Sequence, residues 1–198
     1  MFVTFEGLDG SGKTTQAQLL ADSLRAAGRE IVATREPGGT PLGEEVRRLL
    51  LGGVEMTARA EAALFAAARA ELVERVIRPA LTAGKIVLSD RYIDSSLAYQ
   101  GVARGLGLDE VYELNRVATG GLLPDVAFVL QLDPEVAASR VGDTPDRIER
   151  EGSDFRRRVR DGYEAVAQRF SDRVVLLDGT RSPDELHEEI LGRVRDLS

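Results

Sequence analysis

The sequence has no cysteine, only one histidine, His187, and only two lysines, Lys13 and Lys85. The absence of cysteine excludes disulfides, thiolate metal sites and a cysteine nucleophile, and gives no argument for an oxidising compartment. A single histidine, in a highly charged and helix-like tail, excludes histidine zinc clusters and a Ser/His/Asp hydrolase. The chemistry of the chain must therefore use other groups.

The sequence also lacks a long apolar run and an excess of positive charge. No stretch reaches the ~18 apolar residues of a membrane span, and no basic region precedes an apolar stretch at the amino terminus. The net charge is −7, which argues against whole-surface attraction to nucleic acid or to anionic lipid. We expect a cytoplasmic protein with no nucleic-acid or membrane partner, in which any anion binds at a local basic site.

The 198 residues contain no repeat and no linker long enough to separate domains, so we expect one domain over residues 1–198. Five short apolar runs rich in Val, Ile, Leu or Phe predict buried parallel strands. They are Phe2–Glu6, Glu30–Thr34, Lys85–Asp90, Val126–Asp133 and Val174–Asp178. Helix-like stretches lie between them, which predicts an α/β fold with helices on both faces of the sheet and a ligand site beyond the carboxyl ends of the strands.

The helix-like stretches carry recognisable start and stop signals. Gly28 ends a predicted helix over Lys13–Ala27, and Thr40-Pro41 opens another over Leu42–Leu51. The stretch Thr57–Thr82 is rich in alanine and apolar around much of its circumference. Such a helix needs cover on two sides, one from the sheet and the other from a second subunit.

The segment from Gly7 to Thr14 matches G-x-x-x-x-G-K-[ST], directly after the first strand and directly before the first helix. In this motif, glycines let backbone N–H groups turn towards a phosphate, and the helix amino terminus adds positive potential. We expect Lys13 to neutralise the β- and γ-phosphates and Thr14 to hold Mg²⁺. The residues predicted to contact ATP here are Gly7, Leu8, Asp9, Gly10, Ser11, Gly12, Lys13, Thr14 and Thr15.

A phosphate loop predicts that the chain binds a nucleoside triphosphate, but it does not predict which reaction the triphosphate enters. Switch GTPases need an N-K-x-D segment, whereas Asn115, the only asparagine, is followed by Arg116. The remaining interpretation is a small kinase that passes the γ-phosphoryl group to a bound acceptor. An acceptor that is itself a phosphate needs a second anion clamp, a set of fixed cationic donors opposite the phosphate loop. Arg35 and Arg91, which follow the second and third predicted strands, are placed for that clamp, and Asp90 stands where such folds put a Mg²⁺-water carboxylate.

Several segments in order along the chain resemble the thymidylate kinase family. They are GLDGSGKTT, TREPGGTPLGE, LFAAAR, DRYIDSSLAYQG and DRIE ahead of DFRRRVRDGY, and together they cover roughly residues 1–165. The resemblance implies the P-loop NTPase fold of nucleoside monophosphate kinases, with a five-stranded parallel sheet and a short lid. It also implies the reaction of ATP with dTMP to give ADP and dTDP, with Mg²⁺, in a homodimer.

The resemblance assigns roles in dTMP binding to Asp9, Arg35, Phe65, Arg69, Arg91, Ser96, Tyr99 and Gln100. Phe65 and Arg69 are four residues apart on a helix and therefore share a face. The resemblance implies that the ring stacks on thymine while the guanidinium donates to its O4. Asp9 corresponds to an acid that accepts from the sugar 3′-hydroxyl. Tyr99 corresponds to a tyrosine that packs below the sugar and leaves no space for a 2′-hydroxyl.

The segment 141–152 resembles the lid of the family. Arg140, Arg147 and Arg150 flank or lie within it, and Arg140 is expected to contact ATP. Because the phosphate loop holds no arginine, we expect Arg147 in DRIE to reach the transferring phosphoryl group. The predicted catalytic residues are therefore Lys13, Arg35, Arg91 and Arg147. None needs to act as a base, because the attacking phosphate oxygen is already anionic.

Two other interpretations remain open from the residues alone. The chain could be another deoxynucleotide or deoxynucleoside kinase that shares the phosphate loop. It could also be a regulatory module that binds ATP without turnover, although arginines on the acceptor side speak against that.

Overall fold

The computed structural model describes residues 1–142 and 146–197. Five parallel strands form one sheet in the order β2-β3-β1-β4-β5. The strands are β1 (Phe2–Glu6), β2 (Ile31–Arg35), β3 (Ile86–Asp90), β4 (Val126–Gln131) and β5 (Val174–Asp178). The predicted five-stranded parallel sheet is confirmed.

Some strand boundaries differ from the prediction by one or two residues. β2 begins and ends one residue later than expected, so Arg35 is the last residue of the strand and does not follow it. β4 ends at Gln131, because Asp133 caps the next helix by accepting from the backbone N–H groups of Glu135 and Val136. The chain therefore leaves the sheet earlier here than its apolar run predicts.

Helices cover the sheet between the strands. Among the described residues they are α1 (Lys13–Ala26), α2 (Pro41–Leu51), α3 (Ala58–Leu72), α4 (Arg78–Thr82), α5 (Ile93–Ser96), α6 (Leu108–Ala118), α7 (Pro134–Ser139), α8 (Ser153–Arg169) and α9 (Pro183–Asp196). Ser182 and Glu185 form a capping box at the start of α9. None of the helices within these described ranges has the length and apolarity needed to cross a bilayer.

The predicted long helix over Thr57–Thr82 contains an irregular turn. Thr57 caps α3 by accepting from the Ala60 N–H, and a π-helical turn, Val73–Ile77, joins α3 to α4. A second π-helical segment, Leu97–Ala103, continues α5. Such turns insert an extra residue and are common at functional sites. Apolar periodicity alone does not reveal them.

Successive residues of the strands point to opposite faces, and each face packs against its own layer of helices. Phe2 of β1 belongs to the cluster covered by α8 and by the π-helical segments, whereas its neighbour Val3 belongs to the cluster covered by α1 and α9. Both side chains are fully buried. Two apolar layers therefore enclose the sheet, as an all-parallel sheet requires.

Candidate active site

Three neighbouring strands end at the same edge of the sheet with the predicted phosphate-binding groups. In the order β2-β3-β1, the first strand ends at Arg35, the second at Asp90 with Arg91 following, and the third leads into the phosphate loop. Residues far apart in the sequence are thereby brought together, as predicted for the carboxyl edge of a parallel sheet.

The phosphate loop takes a backbone course that only glycine fits well. Gly7, Gly10 and Gly12 have φ values of +132°, +82° and +97°. A Cβ on Gly7 would lie 2.6 Å from the Leu130 carbonyl oxygen, and a Cβ on Gly10 would collide with the Ala137 carbonyl oxygen. A side chain at either position would distort the turn, which explains the glycines of the motif in steric terms.

Lys13 lies beneath this loop, where 6% of its side chain is exposed. Its ammonium group donates to the Leu8 carbonyl oxygen at 2.8 Å and lies 3.5 Å from the Asp9 carboxylate. Burial, together with the nearby Arg91 cation, lowers the pKa of Lys13 to about 8. A cation held at this depth favours an incoming polyphosphate, since the phosphate replaces the water that burial removes.

Thr14 and Asp90 approach each other from opposite sides of the loop. The Thr14 hydroxyl donates to an Asp90 carboxylate oxygen at 2.6 Å. No group of three or more His, Cys, Asp or Glu side chains within the described ranges could hold a metal by itself. A hydroxyl beside one carboxylate nevertheless suits Mg²⁺, which keeps several waters and takes the rest of its oxygens from substrate phosphates.

Arg91 links the phosphate loop to α5 and α8. It has φ +73°, a left-handed conformation that residues other than glycine seldom adopt and that often marks functional sites. Its guanidinium donates to Asp9 at 2.8 Å, to the Ser95 hydroxyl at 3.0 Å and to the Tyr163 hydroxyl at 3.1 Å. It also lies 5.2 Å above the centre of the Tyr99 ring. The guanidinium therefore has a fixed orientation.

Asp9 stands between two cations. Burial opposes its ionisation, but Arg91 and Lys13 outweigh that effect and hold the pKa of the carboxyl well below its usual value. Asp9 thus stays ionised, and its side chain is 43% exposed and available to a ligand. An ionised carboxylate only accepts hydrogen bonds, so it suits a ligand hydroxyl better than a ligand phosphate.

A cavity of about 670 Å³ opens beside Arg91. It is lined by Asp9, Glu36, Pro37, Arg47, Leu51, Phe65, Arg69, Arg91, Ser95, Ser96, Tyr99, Gln100, Asp146 and Ile148. This set includes every residue predicted to bind dTMP except Arg35. The cavity is hereafter called the base cavity.

Arg69 lies at the wall of the base cavity and is 1% exposed. It pairs with Glu36 at 2.5 Å and donates to the Ser96 hydroxyl at 3.1 Å, to the Tyr92 carbonyl oxygen at 3.0 Å and to the Asn115 side chain. The guanidinium thus makes four hydrogen bonds within the chain, in addition to its ion pair with Glu36. The predicted contact of Arg69 with a base oxygen stays a prediction.

Arg35 does not reach the base cavity. Its guanidinium is half-exposed and pairs with Glu44 at 3.0 Å, and the same Glu44 oxygen accepts from the Gly39 N–H. Glu44 thus ties Arg35 to the glycine turn that follows β2. The role of Arg35 as a phosphate clamp stays a prediction.

The described part of the predicted lid contacts α2 and α3. Arg147 donates to the Leu50 carbonyl oxygen at 2.8 Å and pairs with Glu61 at 2.6 Å. Arg140 lies beside the phosphate loop, since a Cβ on Gly10 would be 3.2 Å from the Arg140 Cβ. Residues 143–145 of the predicted lid lie outside the described residues. Which arginine reaches the transferring phosphoryl group stays a prediction.

A second cavity of about 930 Å³ lies between the phosphate loop, α7 and α8. Asp9, Tyr99 and Ile148 line both cavities, and Phe155 and Arg156 line this one alone. The two cavities thus meet at Asp9.

Several residues of the site were not predicted from the sequence. They are Glu36, Glu61, Ser95, Asn115 and Tyr163. For Glu61 a signal was present, because positions 61, 65 and 69 are spaced by four along α3 and therefore share one face with Phe65 and Arg69. The other four lie on separate elements and meet the predicted residues only through the tertiary fold.

Comparison with known proteins shows the family to which the chain belongs. The model of the thymidylate kinase family matches residues 5–190. Thymidylate kinases from Symbiobacterium thermophilum and a Synechococcus species are 48% and 49% identical to the chain, covering 100% and 98% of it and 94% and 95% of their own lengths. The crystal structure of thymidylate kinase from Ehrlichia chaffeensis superposes with a TM-score of 0.82 at 35% identity, and 98% of each chain is covered. The chain therefore has the P-loop NTPase fold and belongs to the thymidylate kinase family, the enzymes that phosphorylate dTMP to dTDP.

Proposed function

We propose that this chain binds ATP on the phosphate loop and dTMP in the base cavity, and that the γ-phosphoryl group passes directly between them. The observation that carries this proposal is the position of Arg91, which lines the base cavity and bonds to Asp9 of the loop at 2.8 Å. A cation there lies within reach of both an acceptor phosphate and the transferring group.

Alignment and charge neutralisation supply the catalysis. Lys13 binds the β- and γ-phosphate oxygens, and Arg91, Arg147 and Arg35 bind the acceptor phosphate or the charge that develops during transfer. Arg147 would first exchange its contacts with Glu61 and Leu50, and Arg35 its contact with Glu44. Arg140, beside the loop, contacts ATP.

Mg²⁺ is the proposed cofactor. Thr14 would bind it through the hydroxyl and Asp90 through the carboxylate or a bound water, since these groups lie 2.6 Å apart. When bound, the ion neutralises and orients the β- and γ-phosphate oxygens.

The base cavity accounts for recognition of a deoxynucleotide. Phe65 offers a ring face to the base, Arg69 a donor to O4, and Asp9 an acceptor for the 3′-hydroxyl. Tyr99 is 9% exposed and packs edge-on against Tyr163. A ring held in this way cannot move aside for a 2′-hydroxyl, which favours deoxyribose.

A homodimer is the proposed assembly. Ala63 and Ala67 leave one face of α3 apolar and exposed, and the neighbouring helix α6 adds Leu114, 37% exposed, and Val117, 74% exposed. A second copy of the chain would cover this surface. Light scattering during size-exclusion chromatography should give twice the monomer mass, and a stable monomer at micromolar concentration would exclude the dimer.

We also propose that residues 1–198 act as one kinase domain in the cytoplasm, where both nucleotides are available, with 141–152 as its lid. Closure of the lid over ATP would exclude water from the transfer.

The decisive experiment is ADP release measured separately with dTMP, dUMP, dCMP, AMP and thymidine. We expect dTMP to be the best acceptor. Thymidine should be inactive, because it offers no phosphate to Arg91. Strong turnover with thymidine would contradict the acceptor clamp, and ATP binding without turnover on any acceptor would contradict the proposal as a whole.

A further inference from the structure

Glu61 is a buried carboxylate of α3 that the proposed phosphoryl transfer does not use. It is 1% exposed and accepts hydrogen bonds from three side chains on other elements. Gln100 donates at 2.9 Å, Arg104 through two nitrogens at 3.2 and 3.1 Å, and Arg147 at 2.6 Å. A carboxylate with this many donors fixes the orientation of each of them.

The two arginines keep Glu61 ionised. Burial opposes ionisation, but the hydrogen bonds from Arg104, Gln100 and Arg147 outweigh it and lower the pKa of Glu61. Arg104 is itself held in place by Glu151 at 2.5 Å. Both Glu61 oxygens are therefore acceptors and neither is a donor.

The ionised state of Glu61 fixes which end of the Gln100 amide faces it. Only the amide nitrogen can donate to an ionised carboxylate, so the amide oxygen has to point away from Glu61. That oxygen has no hydrogen-bond partner among the described residues. Because Gln100 is 1% exposed and lines the base cavity with Phe65 and Arg69, the free oxygen is an acceptor for the ligand in this cavity.

We propose that Glu61 is a positioning residue that fixes which end of the Gln100 amide faces the ligand in the base cavity. The Gln100 oxygen then accepts a hydrogen bond from a ring N–H of the base. A base whose ring nitrogen at this position carries no hydrogen is rejected. The proposal rests on the proposed binding of dTMP in this cavity. It makes Glu61 a determinant of the choice between thymine and cytosine.

The two bases differ in the pattern of groups that they present. Thymine offers the O4 acceptor beside the N3 donor, whereas cytosine offers an amino donor beside the N3 acceptor. Arg69 as donor and the Gln100 oxygen as acceptor complement thymine. With cytosine, the Arg69 donor would face the amino donor and the Gln100 acceptor would face the N3 acceptor. These buried polar groups would then lack hydrogen bonds.

Rotation of the Gln100 amide would restore a match to cytosine N3. The rotation would also turn the amide oxygen towards the ionised Glu61, where two acceptors would face each other. Glu61 therefore prevents the local adjustment that would remove one of the two mismatches with cytosine. A neutral residue of the same shape would not prevent it.

The test is the substitution Glu61→Gln, with kcat/KM measured for dTMP and for dCMP. We expect the ratio of dTMP to dCMP to fall by at least about tenfold, with the KM for ATP unchanged. The matched control is Glu189→Gln on α9, which removes ion pairs to Arg181 and Arg193 and lies outside the cavity lining. The control should keep the wild-type ratio.

A second variant shows whether Glu61 acts through Gln100. Gln100→Leu should lower the same ratio, and adding Glu61→Gln to it should change the ratio little further. Any one of three results would overturn the proposal. The dTMP to dCMP ratio could be unchanged in folded Glu61→Gln, it could be unchanged in Gln100→Leu, or the effects of the two substitutions on it could be additive in the double variant. If Glu61→Gln does not fold, the Gln100→Leu ratio decides. Absence of wild-type turnover on dTMP would instead contradict the proposed function.

Discussion

Arg91 and Asp9 form an ion pair of 2.8 Å across 82 residues of sequence, and this pair joins the end of β3 to the phosphate loop. Asp9 belongs to the phosphate loop, and Arg91 lines the base cavity. The pair therefore lies where the two proposed substrates meet. A change at either residue is expected to affect the acceptor side and the donor side together.

Replacement of Lys13 by alanine should lower kcat by about 100-fold or more, because it removes a cation aimed at the transferring charge. The thermal unfolding midpoint should change little, because the loop is held mainly by its backbone. ADP release and circular dichroism would measure the two effects.

The only other lysine provides the control for this variant. Lys85 pairs with Glu30 at 2.8 Å at the opposite end of β3. Lys85→Ala should retain wild-type turnover. Near-normal turnover in Lys13→Ala would contradict the phosphate-binding role.

The substitution Arg91→Lys tests orientation at constant charge. Lysine is a point charge and cannot reproduce the planar set of donors that reaches Asp9, Ser95 and Tyr163. We expect kcat/KM for dTMP to fall by about 100-fold, as misplacement of a reacting group by about 1 Å can cause. Arg75→Lys, at an exposed pair with Glu71, is the control. Equal activity of the two variants would contradict the clamp.

Tyr99 allows the proposed steric exclusion of ribose to be tested. Tyr99→Ala should raise the relative kcat/KM for UMP over dUMP, because it opens space below the sugar. Tyr99→Phe keeps the ring and should keep the wild-type preference. If both variants retain that preference, the exclusion must arise elsewhere.

Glu6 should make stability depend on pH. Burial, together with the nearby Asp94, raises its pKa to about 8, and one of its oxygens has no partner among the described residues. The folded protein then holds a proton that the unfolded chain has released above about pH 4.5. The contribution of Glu6 to the free energy of unfolding is therefore full below about pH 4.5 and is lost as the pH rises to about 8.

Glu6→Gln should remove this dependence. The variant should gain stability relative to the wild type as the pH rises from about 5 to about 8. Urea unfolding at several pH values would measure the difference. Parallel stability curves for the two proteins would contradict the raised pKa.

The parts of the site that were predicted from the sequence are local ones. The phosphate loop needs only a strand, a run of glycines and a helix in succession, and Phe65 and Arg69 need only helical spacing. The sheet was predictable because each buried parallel strand is a continuous apolar run.

The remainder depends on contacts between distant residues. Glu36 and Asn115 reach Arg69 across 33 and 46 residues, and nothing in their local sequence marks them as its partners. The four hydrogen bonds of the Arg69 guanidinium could not be foreseen from its position on α3. The side-chain directions of Arg35 and Arg147 depend in the same way on Glu44 and Glu61.

The strand order carries a final consequence. The loop proposed to hold the donor follows β1, and Arg91 and Arg35 stand at the ends of the next two strands. Neighbouring strands are spaced by about 4.8 Å, so the hydrogen-bond ladder itself sets a separation of about 10 Å between the outer two. The distance between the phosphate loop and the two arginine positions is thus set by backbone pairing, and substitution of side chains along this edge leaves it unchanged.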